Sequence, residues 1–384
     1  LEAGMPIYID KPFALTVFDA KELIDKAHHE KKIPLLVGGS MMYFQSLLKG
    51  LDKLPQRNEQ YREQLKIIQS QKNFFSEKNK TLLTELELSR KAQYLVALYE
   101  SYLAQNPDDT NALILYGKFL KKVGQSGHAI SFFLKADSIN PKIAVVKQQI
   151  ANYLVENERP LDALPFFIAA VEIDSDVPDY HFHLGNFLHL FKDQITLSEL
   201  LKEKSIDAFA HECFEKAARQ KPSSFDYRLR YAQSFFDHDN SNHEKALETW
   251  KKMAKDFESI LSKPETDYIR LCQARVMLEL NQKEEATKLI GQVSTKSLGE
   301  SKQVLLKSIK QIPKPSPIKK VKKPKKTGFL KQLDNDPHIK RLKIVTDKLR
   351  EENLIQQLHA DRVRAHHDLN GQIRLIVHLP KNDN

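Results

Sequence analysis

The residues of this chain best suited to chemistry lie near its beginning. In "IPLLVGGSMMYFQSLLKGLDKLP", Ile33 to Pro55, an apolar run leads into Gly38-Gly39-Ser40 and then into an amphipathic stretch. A strand, a glycine turn and a helix let backbone N–H groups and a hydroxyl approach a phosphate closely. Upstream, "MPIYIDKP" ends a strand-like run in Asp10, Lys11 and Pro12. Other constellations offer less. His181, His183 and His189 fall on one predicted helix, but a metal asks for ligands at i, i+4 spacing and a third group. Positions 181 and 183 point to different sides, so ordinary surface histidines are expected, and His359, His366 and His367 are read in the same way. Cys213 and Cys272 sit on predicted helices, where a thiol serves as a small packing group. Neither a Gly-x-Ser-x-Gly turn nor a pair of catalytic carboxylates stands out. No metal and no cofactor is expected.

Elements must position the glycine turn. Between the two strand-like runs, "ALTVFDAKELIDKAHHEKK" places Leu23, Ile24 and Ala27 on one helical face, with Thr16 or Asp19 available as a cap. Strand, helix and strand make a βαβ unit, which implies a parallel sheet. A single unit leaves edges and faces uncovered. Residues 1–56 are therefore read as a truncated α/β segment, followed by a helical connector over 57–91. The first residue is leucine, which is read as a start inside a longer frame and leaves an upstream targeting signal open.

The chain has 384 residues, 41% of them hydrophobic and 29% charged, enough for two or more compact units with buried cores. Two cysteines cannot form a disulfide framework, which points to a reducing, cytoplasmic setting. No apolar run approaches the roughly 18 residues of a membrane span. The net charge of +10 suggests nucleic acid until it is located. Lys310 to Lys331 holds nine lysines and no acid, and subtracting those nine leaves +1 for the other 362 residues. The basicity belongs to a Pro/Lys-rich tether over 312–331, extended and self-repelling. Any contact with nucleic acid would run through Lys310–Lys331 rather than through a folded surface.

The middle of the chain repeats. Pro107, Pro141 and Ser175 follow one another at a spacing of 34 in "NPDD", "INPK" and "IDSD". Around them a small residue is followed four positions later by a large one and three later by a small one, on one helical face. The sets are Ala129, Phe133, Ala136; Ala163, Phe167, Ala170; Ala210, Phe214, Ala217; Ala246, Trp250, Ala254, whose last member comes four later; and, more weakly, Ala286 with Ile290. Preceding helices carry their own small residues, Gly117, Ala151, Gly185, Ala232 and Ala274. A period of one helix–turn–helix unit means stacked pairs that bury their faces against neighbours. Ala92 to Asn106 reads as the second helix of a partial, capping unit. The third unit is 13 residues too long, and its extra segment, Lys192 to Ser205, is expected as a longer turn or an extra helical turn.

This pattern, over about residues 92–311, resembles the tetratricopeptide repeat (TPR) family. The resemblance implies a mainly α fold, an α-solenoid of helix pairs, whose first helices line a concave groove for a peptide or partner helix. It places groove positions at Asn111, Ile114, Lys118, Gln148, Asn152, Phe182, Asn186, His189 and Gln233. Where some members clamp a terminal carboxylate, this chain has Ile114, Lys118, Gln149, Asp179 and His183, and Asp179 opposes that ligand. The first segment resembles two enzyme families. "KIPLLVGGSMMYFQSLLKGLDKLPQRNEQYREQL", residues 32–65, is similar to tRNA dimethylallyltransferases, which implies Gly38, Gly39 and Ser40 near a prenyl diphosphate. Residues 1–30 resemble the glucose-fructose oxidoreductase and inositol dehydrogenase family, which implies Lys11 and Pro12 beside a nicotinamide. Neither a phosphate loop ending in Gly-Lys-Ser/Thr nor a glycine-rich dinucleotide turn occurs in the chain.

After the tether, residues 332–384 read as a charged helix, "PHIKRLKIVTDKLREENLIQQLHADRVRAHHDL", and a short strand, "QIRLIVHLP". Together these readings make the chain a non-catalytic interaction scaffold with an enzyme-like remnant. The alternatives are a fragment of a tRNA dimethylallyltransferase or of an NAD(P)-dependent oxidoreductase.

Overall fold

The computed structural model describes residues 29, 59–76, 83–198, 203–237, 242–311, 337–353, 358 and 360–377. The βαβ reading over 1–56, apart from His29, and the tether over 312–331 lie outside the described residues. The chain divides into two units, Leu1–Gln69 and Ser70–Asn384. Of the first, almost all that is described is the start of helix α1 (Glu59–Phe74).

The second unit is built from helix pairs. Helix α2 (Glu85–Gln105) precedes them, with a capping box in which Thr84 Oγ1 accepts from the Glu87 N–H and Glu87 accepts from the Thr84 N–H. The first pair is α3 (Thr110–Lys122) with α4 (Ser126–Ile139), the second α5 (Ala144–Glu156) with α6 (Pro160–Ile173). The third joins α7 (Pro178–Leu190) to α9 (Glu203–Gln220), and the short helix α8 (Lys192–Leu197) occupies the insertion between them. The fourth is α10 (Phe225–Ser234) with α11 (His243–Asp256), the fifth α12 (Lys263–Glu279) with α13 (Lys283–Gly291). Helix α14 (Gly299–Gln311) lies against both helices of the fifth pair.

The small–large–small sets are the core of this array. Ala129, Phe133, Ala136, Ala163, Phe167, Ala170, Ala210, Phe214, Ala217, Ala246, Trp250, Ala286 and Ile290 are all buried, and Ala254 is half-buried. A Cβ added at Gly117 would sit 2.7 Å from the Phe133 ring, and one at Gly185 would sit 2.7 Å from Phe214. The first and third pairs thus close where a missing side chain on the first helix admits an aromatic ring of the second. The turns are shared as well. Gln125, Arg159 and Gln282 donate their N–H groups to the carbonyls of Leu120, Leu154 and Met277, five residues back. Gly124, Glu158 and Asn281 stand before them at positive φ, so three first helices end in one Schellman geometry. Helix α2 begins seven residues before Ala92, so the leading helix is longer than its repeat pattern predicts.

The carboxyl-terminal residues fold back onto the second helices. Helix α15 (Pro337–Glu352) packs on α6 and α4 and buries Val345, Thr346 and Leu349. Arg341 reaches Asp162 at 3.2 Å, and Glu352 reaches Arg159 at 3.1 Å. Arg350 lies 3.8 Å from Asp137, which is buried in an ion pair with Lys147 at 2.7 Å.

Here the sequence reading needs correction. The charged helix stops at Glu352, and Val363–His367 is not helical but strand β1, paired antiparallel with β2 (Ile373–Val377). Val363, Ala365, Ile373 and Leu375 are buried, alternating with more exposed neighbours. The alternation around residue 363 is only five residues long and needs two partners, β2 and α2. Ser89 Oγ accepts from the Ala365 N–H at 2.8 Å, and Gln93 donates to the Val363 carbonyl at 2.9 Å. On the other edge, the Leu375 N–H donates to the Val123 carbonyl, and Gln125 donates to the Leu375 carbonyl. No described helix is long and apolar enough to cross a membrane.

Candidate partner-binding groove

Asp109 starts helix α3 by accepting the N–H groups of Asn111 and Ala112 on one carboxylate oxygen. Proline at the first position begins α7 in the same role. The first helices are tied to one another by polar contacts between pairs. Lys121 of α3 meets Glu156 of α5 at 2.9 Å. Tyr227 of α10 donates its hydroxyl to Asp179 of α7 at 2.7 Å, and its ring lies 4.6 Å from that of Phe182. His189 at the end of α7 stands 3.5 Å from Asp237, which also accepts from Arg230 at 2.9 Å. Gln233 of α10 donates to the Tyr268 hydroxyl of α12 at 2.9 Å.

These contacts sort the nine groove positions. Ile114 and Gln148 are 8% exposed each, so they are walls rather than contact groups. Phe182, His189 and Gln233 already have ring or polar partners in the neighbouring repeat. Asn111 and Lys118 are exposed, and Asn152 and Asn186 are half-buried. Lys118 has no carboxylate partner among the described residues, and desolvation by its surroundings lowers its ammonium pKa. The free end of the set is therefore an ammonium and three amides over α3, α5 and α7. Such groups recognise a polar backbone or side chain by hydrogen bonds.

Several residues escape the sequence reading. Tyr227, Arg230, Asp237 and Tyr268 complete the ladder, and Arg230 also stacks 4.2 Å above the Phe214 ring. The partners of Tyr227 and Tyr268, and His189 beside Asp237, lie one repeat away across irregular connections, so no spacing announces them. Asp179, an obstacle to a carboxylate ligand in the sequence reading, is an acceptor for Tyr227. His181 is buried, not on the surface, with Nε2 2.9 Å from the Ser175 carbonyl. Burial lowers its pKa and also that of His183, which Asp179 raises and Lys121 lowers further. Cys213 and Cys272 are free and buried, and burial pushes each thiol up to about 12. Among the described residues no group of three or more His, Cys, Asp or Glu is placed to hold a metal. Lys11, Pro12, Gly38, Gly39 and Ser40 lie outside the described residues.

Comparison with known proteins divides the chain in the same way. Residues 7–94 match the family model of IPP transferase. The tRNA dimethylallyltransferase of Dichelobacter nodosus is 31% identical over 120 residues, 29% of this chain and 31% of that protein. The same enzyme from Psychrobacter cryohalolentis is 50% identical over 46 residues, 12% of this chain and 11% of its own. The chain therefore spans less than a third of the length of these relatives. Among solved structures, YrrB, described as a TPR protein with an unusual peptide-binding site, aligns with a TM-score of 0.43 at 14% identity. The alignment covers 56% of this chain and 98% of YrrB. PilF of Pseudomonas aeruginosa aligns at 0.42 and 15% identity, over 65% of this chain and 99% of its own. The amino-terminal segment is thus similar to part of the tRNA dimethylallyltransferases, while the tetratricopeptide pattern rests on the repeating helix pairs themselves.

Proposed function

We propose that this chain is a non-catalytic interaction scaffold that receives an extended peptide or a partner helix along α3, α5 and α7. The observation that carries this reading is the contrast along the first helices. Their distal side chains are bonded to the next repeat, while Lys118, Asn152 and Asn186 keep their polar atoms available beside aromatic walls. Polar anchors on a rigid, repeating surface suit an extended ligand. The test selects random peptides displayed on phage against the full chain. Enriched peptides are expected to lose at least about tenfold in affinity, about 1.4 kcal/mol, on the double change Lys118→Ala and Asn152→Ala. The outer-helix change Lys251→Ala should leave them unaffected. Peptides that ignore the groove pair and respond to Lys251 overturn the reading.

A second reading rests on the family match over residues 7–94. The match begins inside the stretch that resembles an oxidoreductase, which favours the transferase reading there. On this reading Gly38, Gly39 and Ser40 keep the phosphate-facing turn of a prenyl transferase without its phosphate loop. Catalysis asks for the whole constellation in place. The purified chain with tRNA and dimethylallyl diphosphate is expected to give no isopentenylated product, and turnover would establish the enzyme instead. Nucleic-acid contact is proposed only for Lys310–Lys331, and the two unpaired thiols support a reducing, cytoplasmic compartment.

A further inference from the structure

Glu100 stands on α2 below the returning carboxyl-terminal segment. Its carboxyl accepts the N–H of Leu358, and the neighbouring Asp361 carboxylate acts on it. Its Oε1 is nevertheless buried without a hydrogen-bond partner. On the other side, the Tyr116 hydroxyl of α3 is also buried and unpartnered, within electrostatic reach of Glu100. The Tyr116 ring is fixed by stacking on Tyr99 at 4.5 Å. A charge on Glu100 would therefore be half-desolvated, one oxygen short of a donor, and opposed by a second carboxylate. The opposition of Asp361 arises only while the segment is docked, and the Leu358 N–H offsets part of the cost.

We propose that α15 and the β1–β2 hairpin, with Leu358 and Asp361, form a pH-sensitive clasp on the outer helices of the first repeats, with Glu100 as its sensor. The clasp closes while Glu100 carries its proton and loosens when the proton leaves. The remaining contacts hold the segment in register without titrating against Glu100. These are the Ser89–Ala365 and Gln93–Val363 bonds, the Leu375–Val123 bond, and the ion pairs of α15 with Asp162 and Arg159. Other charged groups on the elements packed against α2 are Arg362, Arg364, His366 and His367 on the segment and Lys118, Lys121 and Lys122 on α3. None of them bears on the Glu100 carboxyl. Opening would uncover α2 between Ser89 and Glu100 and release Arg159 and Asp162 on α6.

The sign follows from linkage. Burial first, and then Asp361, push Glu100 in the docked state up to about 7 from its ordinary 4.5. An undocked Glu100 ionises near the ordinary value. Docking is therefore strongest at low pH, weakens between the two values, and levels off above about 7.

The experiment is hydrogen exchange on the full chain at pH 5.5 and pH 8, corrected for intrinsic exchange. Protection of the Val363–Val377 amides is expected to fall roughly tenfold across that interval, allowing for the partial exposure of the site. Amides of α12 serve as the control and should hold. Glu100→Gln keeps the shape and cannot ionise, so its segment should stay as protected at pH 8 as at pH 5.5. Asp361→Asn should shrink the response without abolishing it. A pH-independent wild type overturns the proposal, as does a Glu100→Gln chain that responds like the wild type. Protection that rises with pH overturns it too.

Discussion

Replacing Asp267 by alanine is expected to open the far end of the array, lowering amide protection in α13 and α14 roughly a hundredfold, about 2.7 kcal/mol. Asp267 is completely buried on α12. Its Oδ2 accepts the N–H groups of Ser294 and Thr295, each at 3.0 Å, and the Thr295 hydroxyl at 2.8 Å. Its Oδ1 meets Lys263 at 2.9 Å and Arg270 at 3.0 Å. The carboxylate thus fastens the turn that carries the chain from α13 to α14. Burial alone would raise its pKa. The bonds from Lys263, Ser294 and Thr295 outweigh that and hold the carboxyl far below the ordinary carboxylate range. Its contribution is present above the ordinary value of 3.8 and is lost as pH falls towards the depressed one. Alanine leaves two backbone donors without an acceptor in a dry site. Asparagine keeps one carbonyl oxygen and should lose about half as much. Because repeats are stabilised by their neighbours, α3 and α4 should keep their protection in both variants. Equal loss at both ends of the array would show that Asp267 is not a local fastener.

Gly117→Val is the second large effect, at about 3 kcal/mol. The first atom of any side chain at 117 meets the Phe133 ring at 2.7 Å, with two further ring atoms at 2.9 and 3.1 Å. Phe133 is 1% exposed and is itself packed, so the ring has little room to give. Gly117→Ala should cost less, because the extra methyl is smaller and alanine regains about 1 kcal/mol of helix propensity. The decisive measurement is the double variant with Phe133→Leu. Phe133→Leu alone leaves a cavity, Gly117→Val alone overfills the site, and the pair should recover at least about 1 kcal/mol relative to their sum. Additive urea-unfolding energies would mean that the two residues do not meet. The groove is coupled to this contact, since α3 carries Asn111 and Lys118 and must lie at a fixed distance from α4 to present them.

How much was legible follows from the range of each interaction. The repeats were readable because one helix pair is local. The 34-residue period sets Ala129, Phe133 and Ala136 on one face, and the next units repeat that face without reference to anything distant. The closing glycines were readable for the same reason. The expected groove was a list of positions in the sequence. Which of them stay available depends on bonds to the next repeat, such as Tyr227 to Asp179 and Gln233 to Tyr268. Residues 181 and 183 share one helix, yet burial separates them, and the sequence pattern does not record burial at that resolution.

The carboxyl-terminal segment marks the boundary most clearly. Its charged, thin-striped sequence was continuous with a helix up to Glu352, and nothing local ended it before Val363. A strand there exists because Ile373–Val377 pairs with it and because Ser89 and Gln93 complete its hydrogen bonds, as Val123 and Gln125 complete those of Leu375, from more than 240 residues away. Sequence alone therefore determined the period, the small–large–small packing code and the small first-helix residues, Gly117 and Gly185 among them, all of which are satisfied within one repeat. The tertiary structure decided which polar groups of the groove remain available. It also decided that a distant hairpin covers α2 and that Glu100 is half-buried beside Asp361, which opposes its charge. Those outcomes depend on long-range burial and pairing, where the energy of a residue is set by neighbours that the chain brings together only on folding.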